Sequence, residues 1–166
     1  YANTVATIDF AKQFKGHGWV GIKYQIEPDE DYNEIILHIR FKETDARLQQ
    51  ETLGILGVNL IYGAYYKYND PKKLLRYLYD HLDKDQLEID TINFSGPRFA
   101  NVDNRLMSLQ LVKNGMTDAV MFGPDGNNIL PAAVLYKKNI LALRGSFRPV
   151  TKVNMDMYEK SLEMFV

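Results

Sequence analysis

Between residues 19 and 26 apolar side chains recur at every second position. Val20, Ile22, Tyr24 and Ile26 fall on one side, with Trp19, Gly21, Lys23 and Gln25 on the other. A period of two marks a half-buried strand. The pattern returns over residues 34–41, where Ile35, Leu37, Ile39 and Phe41 share a face. An acidic, turn-rich stretch, residues 27–33, lies between them, so the two runs predict an antiparallel hairpin with a long connection. From Asp45 the period lengthens. Leu48, Leu53, Leu56 and Leu60 fit one helical face behind an Asp45 N-cap. Gly54, Gly57 and Gly63 weaken the later turns and leave residues 58–68 open between helix and strand.

Asp70-Pro71 announces the next helix, an N-cap followed by proline at the first helical position, with Leu74, Leu75, Leu78 and Leu82 as its buried stripe. Residues 87–94 read as a strand broken by Ser95-Gly96-Pro97. Asp103 opens a helix carrying Leu106, Leu109 and Val112, which Asn114-Gly115 closes. Residues 117–122 predict a short strand ended by the turn Gly123-Pro124-Asp125-Gly126. Residues 131–138 predict a short helix. Ile140-Leu141-Ala142-Leu143, apolar on both sides, predicts a central strand covered on both faces. A final helix, capped by Asn154, carries Met155, Tyr158, Leu162 and Phe165.

Strands alternating with helices give the expected fold class: one α/β domain over residues 1–166, a mixed β-sheet with an N-terminal antiparallel hairpin and helices packed on it. Asp45, Arg47, Leu48, Leu53 and Gly57 echo Asp103, Arg105, Leu106, Leu111 and Gly115 at identical spacing, which points to an internal strand–helix duplication. The plainer reading is that an Asp cap and a leucine stripe are common to many helices. The chain opens without methionine and closes on the apolar, uncapped turn Glu163-Met164-Phe165-Val166. Both ends fit an internal or N-terminal domain excised from a longer protein.

Composition narrows the function classes. Apolar residues make up 46% and charged residues 25%, an ordinary globular mixture. The absence of cysteine excludes a disulfide scaffold, a thiol nucleophile and a thiolate metal site. No apolar run approaches the length of a membrane-spanning helix, and no leader segment is evident, so no membrane partner is expected. A net charge of −1 gives no strong nucleic-acid signal.

The distribution of charge says more than its sum. From Gly126 to Met155 there is no acid, while Lys137, Lys138, Arg144, Arg148 and Lys152 all fall inside. Arg144, Ser146 and Arg148 follow the expected central strand and precede the last helix, where open α/β sheets bind ligands outside the carboxyl ends of strands. These three residues and Lys152, joined by Arg105 and Asn104, are therefore the candidate site for an anionic, phosphate- or nucleotide-like small molecule. For Arg105 the structural reading is the better one, an ion pair beside the Asp103 cap, because capping needs no ligand. His17, between Gly16 and Gly18, is the candidate general acid–base residue, because imidazole titrates near neutrality. His38 and His81 complete a set of three histidines without ligand spacing, so no metal site is expected. No cofactor is assignable. Gly16-x-Gly18-x-x-Gly21 leads into a strand, which lacks the phosphate-cradling geometry of a dinucleotide fingerprint.

Tyr62, Tyr65, Tyr66, Tyr68, Tyr77 and Tyr79 suit a packing or subunit interface. This supports the alternative reading, a non-catalytic module that forms a homo-oligomer or docks the remainder of a parent chain.

Five runs together carry a family resemblance: Gly16-His17-Gly18-Trp19, the segment from Leu48 to Tyr62, Val102-Asp103-Asn104-Arg105-Leu106, Met121 to Gly126, and Arg144 to Thr151. They are similar to a widespread, uncharacterised bacterial family of longer proteins, some of them labelled nicotinate-nucleotide adenylyltransferase. The resemblance spans most of residues 16–165. It implies a bacterial cytoplasmic protein with a further domain, touching nucleotide metabolism. The histidine-rich motif of nucleotidyl transfer has no counterpart in this sequence.

Overall fold

The computed structural model describes residues 1–9, 11 and 15–165, so Val166, expected in the last helical turn, lies outside the described residues. The chain divides into two compact units, Tyr1–Pro131 and Ala132–Val166. The first is a mixed α/β unit built on a four-stranded sheet in the order β1 (Ala2–Asn3), β2 (His17–Tyr24), β3 (Asn33–Phe41) and β4 (Leu87–Ser95). Every pairing in it is antiparallel. The expected hairpin is β2–β3, with Val20 opposite Leu37 and Ile22 opposite Ile35.

One face of the sheet is apolar and fully covered. Val20, Ile22 and Tyr24 from β2, Ile35, Leu37, Ile39 and Phe41 from β3, and Leu87, Ile89, Ile92 and Phe94 from β4 all join the core. The apolar positions of β4 change phase between Ile89 and Ile92. Register explains it: His38 pairs with Thr91 and Ile39 with Ile89, leaving Asp90 as an inserted bulge residue.

Three helices supply the other half of the core. Helix α1 (Ala46–Tyr66) buries Leu56, Leu60 and Ala64, α2 (Pro71–Tyr77) buries Leu74 and Leu75, and α3 (Asn104–Lys113) buries Met107 and Leu111. Residues 58–66 are thus helical, because the stripe at Leu56, Leu60 and Ala64 outweighs the weak propensity of the glycines. Gly63 has a packing reason: a Cβ there would stand 3.2 Å from Leu74 Cγ, where α2 presses on α1.

The aspartate caps form as expected. Asp45 accepts from the Arg47 and Leu48 amides at 2.9 and 3.0 Å, Asp70 from Lys73 at 3.0 Å, and Asp103 from Arg105 at 2.9 Å. Helix α3 ends where Gly115 takes φ +67°, with the Met116 amide bonded to the Leu111 carbonyl at 2.9 Å. The sequence echo keeps its Asp caps in both copies. Its glycines diverge, because Gly57 lies inside α1 whereas Gly115 closes α3.

The outer edge of β4 is covered by side chains and loops. The Asn104 amide accepts from Phe94 N at 2.8 Å and donates to Phe94 O at 3.0 Å. Asn128 Nδ2 donates to the Ile92 carbonyl at 3.2 Å, and Ile89 N donates to the Met116 carbonyl at 3.2 Å. Of the strand expected over 117–122, only β5 (Met121–Phe122) forms. It pairs with β6 (Asn128–Ile129) around a turn in which Asp125 accepts from Asn127 N at 3.0 Å.

The second unit corrects two expectations. Residues 140–143 form no strand and are not buried, since no neighbouring strand in that unit pairs with them and a run apolar on both sides needs cover on both. Helix α4 (Pro131–Leu135) reaches into this unit from the boundary, and α5 (Lys152–Phe165) ends it. Thr151, and not Asn154, takes the capping position of α5. Asn154 Oδ1 accepts from Thr151 N at 2.8 Å while Thr151 Oγ1 accepts from Asn154 N at 3.3 Å, a reciprocal capping box. None of the described residues 132–165 is buried. No helix among the described residues is long and apolar enough to cross a membrane.

Gly96, which turns the chain from β4 towards α3, has φ +103°, and a Cβ there would meet the Tyr32 carbonyl and Asn33. The variant Gly96→Ala should therefore lose more than about 1 kcal/mol of stability in a urea melt.

Candidate functional site

The face of the sheet opposite the core carries the polar chemistry. Alternation places His17, Trp19, Gly21 and Lys23 of β2 beside Glu34, Ile36, His38 and Arg40 of β3. Glu88, Thr91, Asn93 and Ser95 of β4 complete it, with Asp90 on the bulge. Cross-strand register sorts these residues into rows. His17, Arg40 and Glu88 form one row, and Trp19, His38 and Thr91 the next.

The two rows are joined by a hydrogen-bonded chain. His38 is 2% exposed, and its Nδ1 lies 2.8 Å from Asp90 Oδ1. Its Nε2 lies 3.3 Å from Nδ1 of His17. The acceptor-only carboxylate of Asp90 fixes the tautomers in turn. His38 donates from Nδ1, its Nε2 is then an acceptor, and His17 donates to it from Nδ1. The Trp19 and His38 rings meet in an edge-to-face contact at 4.9 Å between centroids. Trp19 is 41% exposed and walls the row.

His17 itself is exposed, and its titration lies below the ordinary histidine value. Desolvation is the largest cause, followed by the neighbouring His38 and Arg40, with Asp90 pulling the other way. A neutral imidazole near pH 7 is a proton acceptor. The sequence singles out His17 without identifying anything that orients it, and the structure supplies His38 and Asp90.

Cations gather at the same end of the face. Lys15, Arg40 and Lys42 are exposed around a pocket of about 380 Å³ that also includes Glu43 and Glu88. Among the described residues none of the three cations lies within ion-pair distance of a carboxylate. The two acids are engaged elsewhere: Glu43 accepts from Thr52 Oγ1 at 3.1 Å and Glu88 from Thr117 Oγ1 at 2.7 Å.

The expected ligand set divides between the units. Asn104 and Arg105 sit at the start of α3, on the rim of a larger cleft that also touches Trp19. Both are committed to structure. Asn104 spends its amide on β4, and Arg105 is held by Asp103 through Nε at 3.2 Å and Nη2 at 3.0 Å. Arg144, Ser146 and Arg148 are exposed on an irregular segment of the second unit, and Lys152 opens α5 there. No group of three or more His, Asp or Glu side chains able to hold a metal ion occurs among the described residues.

No protein-family model, curated protein or solved structure matches the chain.

The histidine chain sets opposite signs for two substitutions. By NMR, the His17 midpoint should lie below 6.5 in the native domain. Arg40→Gln should raise it by removing a repelling charge, whereas Asp90→Asn should lower it further. A midpoint unmoved by either change would show that the row does not govern His17.

Proposed function

We propose that the first unit binds an oxyanion-bearing small molecule, of the phosphate class, at the row of His17 and Arg40, and that His17 transfers a proton on it. The observation that carries this reading is the chain from buried Asp90 through His38 to an exposed imidazole opposite an arginine. When His17 takes a proton at Nε2, its Nδ1 proton can pass to Nε2 of His38. The resulting imidazolium is stabilised by Asp90, which remains ionised. Arg40 supplies a forked donor for the oxyanion, and Lys15 and Lys42 add positive field. The anion site expected from sequence is thereby assigned to a different arginine in the first unit. Membership of the bacterial family that residues 16–165 resemble, a cytoplasmic setting and a role in nucleotide metabolism belong to the same proposal.

Inorganic phosphate and phenyl phosphate should bind in calorimetry, with affinity falling as salt rises. Arg40→Gln should weaken phosphate by about tenfold, the scale of a hydrogen bond to a charged group. His17→Gln should retain binding and lose proton transfer. Phosphate affinity unchanged in Arg40→Gln would reject the site.

A second reading, an interaction module, has its own observation. Tyr62, Tyr66 and Tyr77 cluster, with Tyr62 at 4.6 and 5.0 Å from the other two, and Lys67 lies 5.6 Å over the Tyr62 and Tyr77 rings. Val58, 67% exposed, continues that face of α1. If it is an interface, light scattering should find a dimer that Val58→Lys splits; a native monomer at all concentrations would dismiss this reading.

A further inference from the structure

Beside the histidine row, on the same open face, lies a cleft of about 710 Å³, the size of a small-molecule site. One wall is Trp19, and the floor includes Ile36, Thr91 and Asn93. The far side is the start of α3 and the turn between β5 and β6. Its chemistry differs from that of the phosphate-class site.

The charged lining residues are Asp103, Arg105 and Asp125. Asp103 and Arg105 neutralise one another through two contacts. Asp125 is left as the net charge. The backbone and side chain of Asn127 donate to its carboxylate at 3.0 and 2.7 Å, holding its titration below the ordinary carboxylate range. The cleft is therefore anionic and disfavours an oxyanion.

Two acceptors add to this. Asn128 Nδ2 faces two carbonyls, those of Ile92 and Asn104, each at 3.2 Å, which fixes the amide orientation and leaves Oδ1 buried without a partner. Thr91 is 8% exposed, and its Oγ1 is likewise buried and unpartnered. Thr91 lines the floor of the cleft, so this oxygen lies next to it. A buried polar group left unpaired is destabilising, and a ligand that donates to it relieves that.

Trp19 supplies the remaining element. Its ring is held against His38 in an edge-to-face contact and lines the cleft, an aromatic surface beside which a flat ring can pack. We propose that this cleft binds a flat ring bearing N–H donors, an aminated nitrogen heterocycle or an amidine, stacked on Trp19 and donating to Asp125 and to the acceptors of the floor. This second subsite stands independently of the oxyanion site.

Trp19 is the single tryptophan of the chain, so its emission reports on this cleft directly. Adenine and benzamidine are the probes, and benzoate is the flat anionic control. Saturable quenching of Trp19 by adenine or benzamidine, and not by benzoate, supports the site. Asp125→Asn, a change in an exposed turn, should weaken the responding probe by about tenfold. Thr91→Val should weaken it too while raising thermal stability, because it deletes an unpaired buried hydroxyl; a purely structural threonine would move stability alone. Absence of saturable quenching by both probes, equal quenching by benzoate, or an affinity unchanged in Asp125→Asn would overturn the proposal. Phosphate binding is scored separately through Arg40→Gln, so the failure of either site is distinguishable from failure of the other.

Discussion

Strand β4 has to satisfy two faces with one residue too many. Leu87 and Ile89 must meet the core, and so must Ile92 and Phe94, yet strict alternation would turn one of these pairs to the other side. The bulge at Asp90 absorbs the extra residue, and the rest of the unit depends on it. With it, all four side chains are buried against the helices. It also leaves Asp90 on the polar face, within hydrogen-bonding reach of His38. Core packing and the histidine chain are thus two results of one local irregularity.

The cost of that arrangement falls on the polar face. A carboxylate and an imidazole, 7% and 2% exposed, have been taken from water. Such pairs contribute little net stability, and removing one member leaves the other uncompensated. Trp19 keeps solvent from His38, and the contact with His17 carries the pair's influence to an exposed ring. The apolar face stabilises the unit, while the opposite face carries the buried His38–Asp90 pair and its contact with exposed His17.

Much of the fold was legible because the strands of the first unit alternate cleanly and its helices begin with Asp caps. The hairpin, α2, β4 and the Gly115 close of α3 all follow from local signals. The region 140–143 misled, because an apolar run carries no information on whether strands exist to flank it. For the candidate site, residue type and flanking glycines single out His17 in the sequence. His38 is not singled out, since its role depends on register with a strand some fifty residues further on. A trace of Asp90 was present in the sequence as the phase slip between Ile89 and Ile92. Arg40 carried no signal, since its place opposite His17 is set by pairing. Asn104 and Arg105 were found as polar residues at a helix start, but their type could not reveal that β4 and Asp103 had already engaged them.

The last strand of the sheet has a further property. Its outward backbone groups at Ile89, Ile92 and Phe94 are met by Met116, Asn128 and Asn104, the last imitating the donor and acceptor of a neighbouring chain. An edge so occupied offers no template for strand addition, the usual route from an open sheet to aggregates. Self-association by strand addition along β4 is closed.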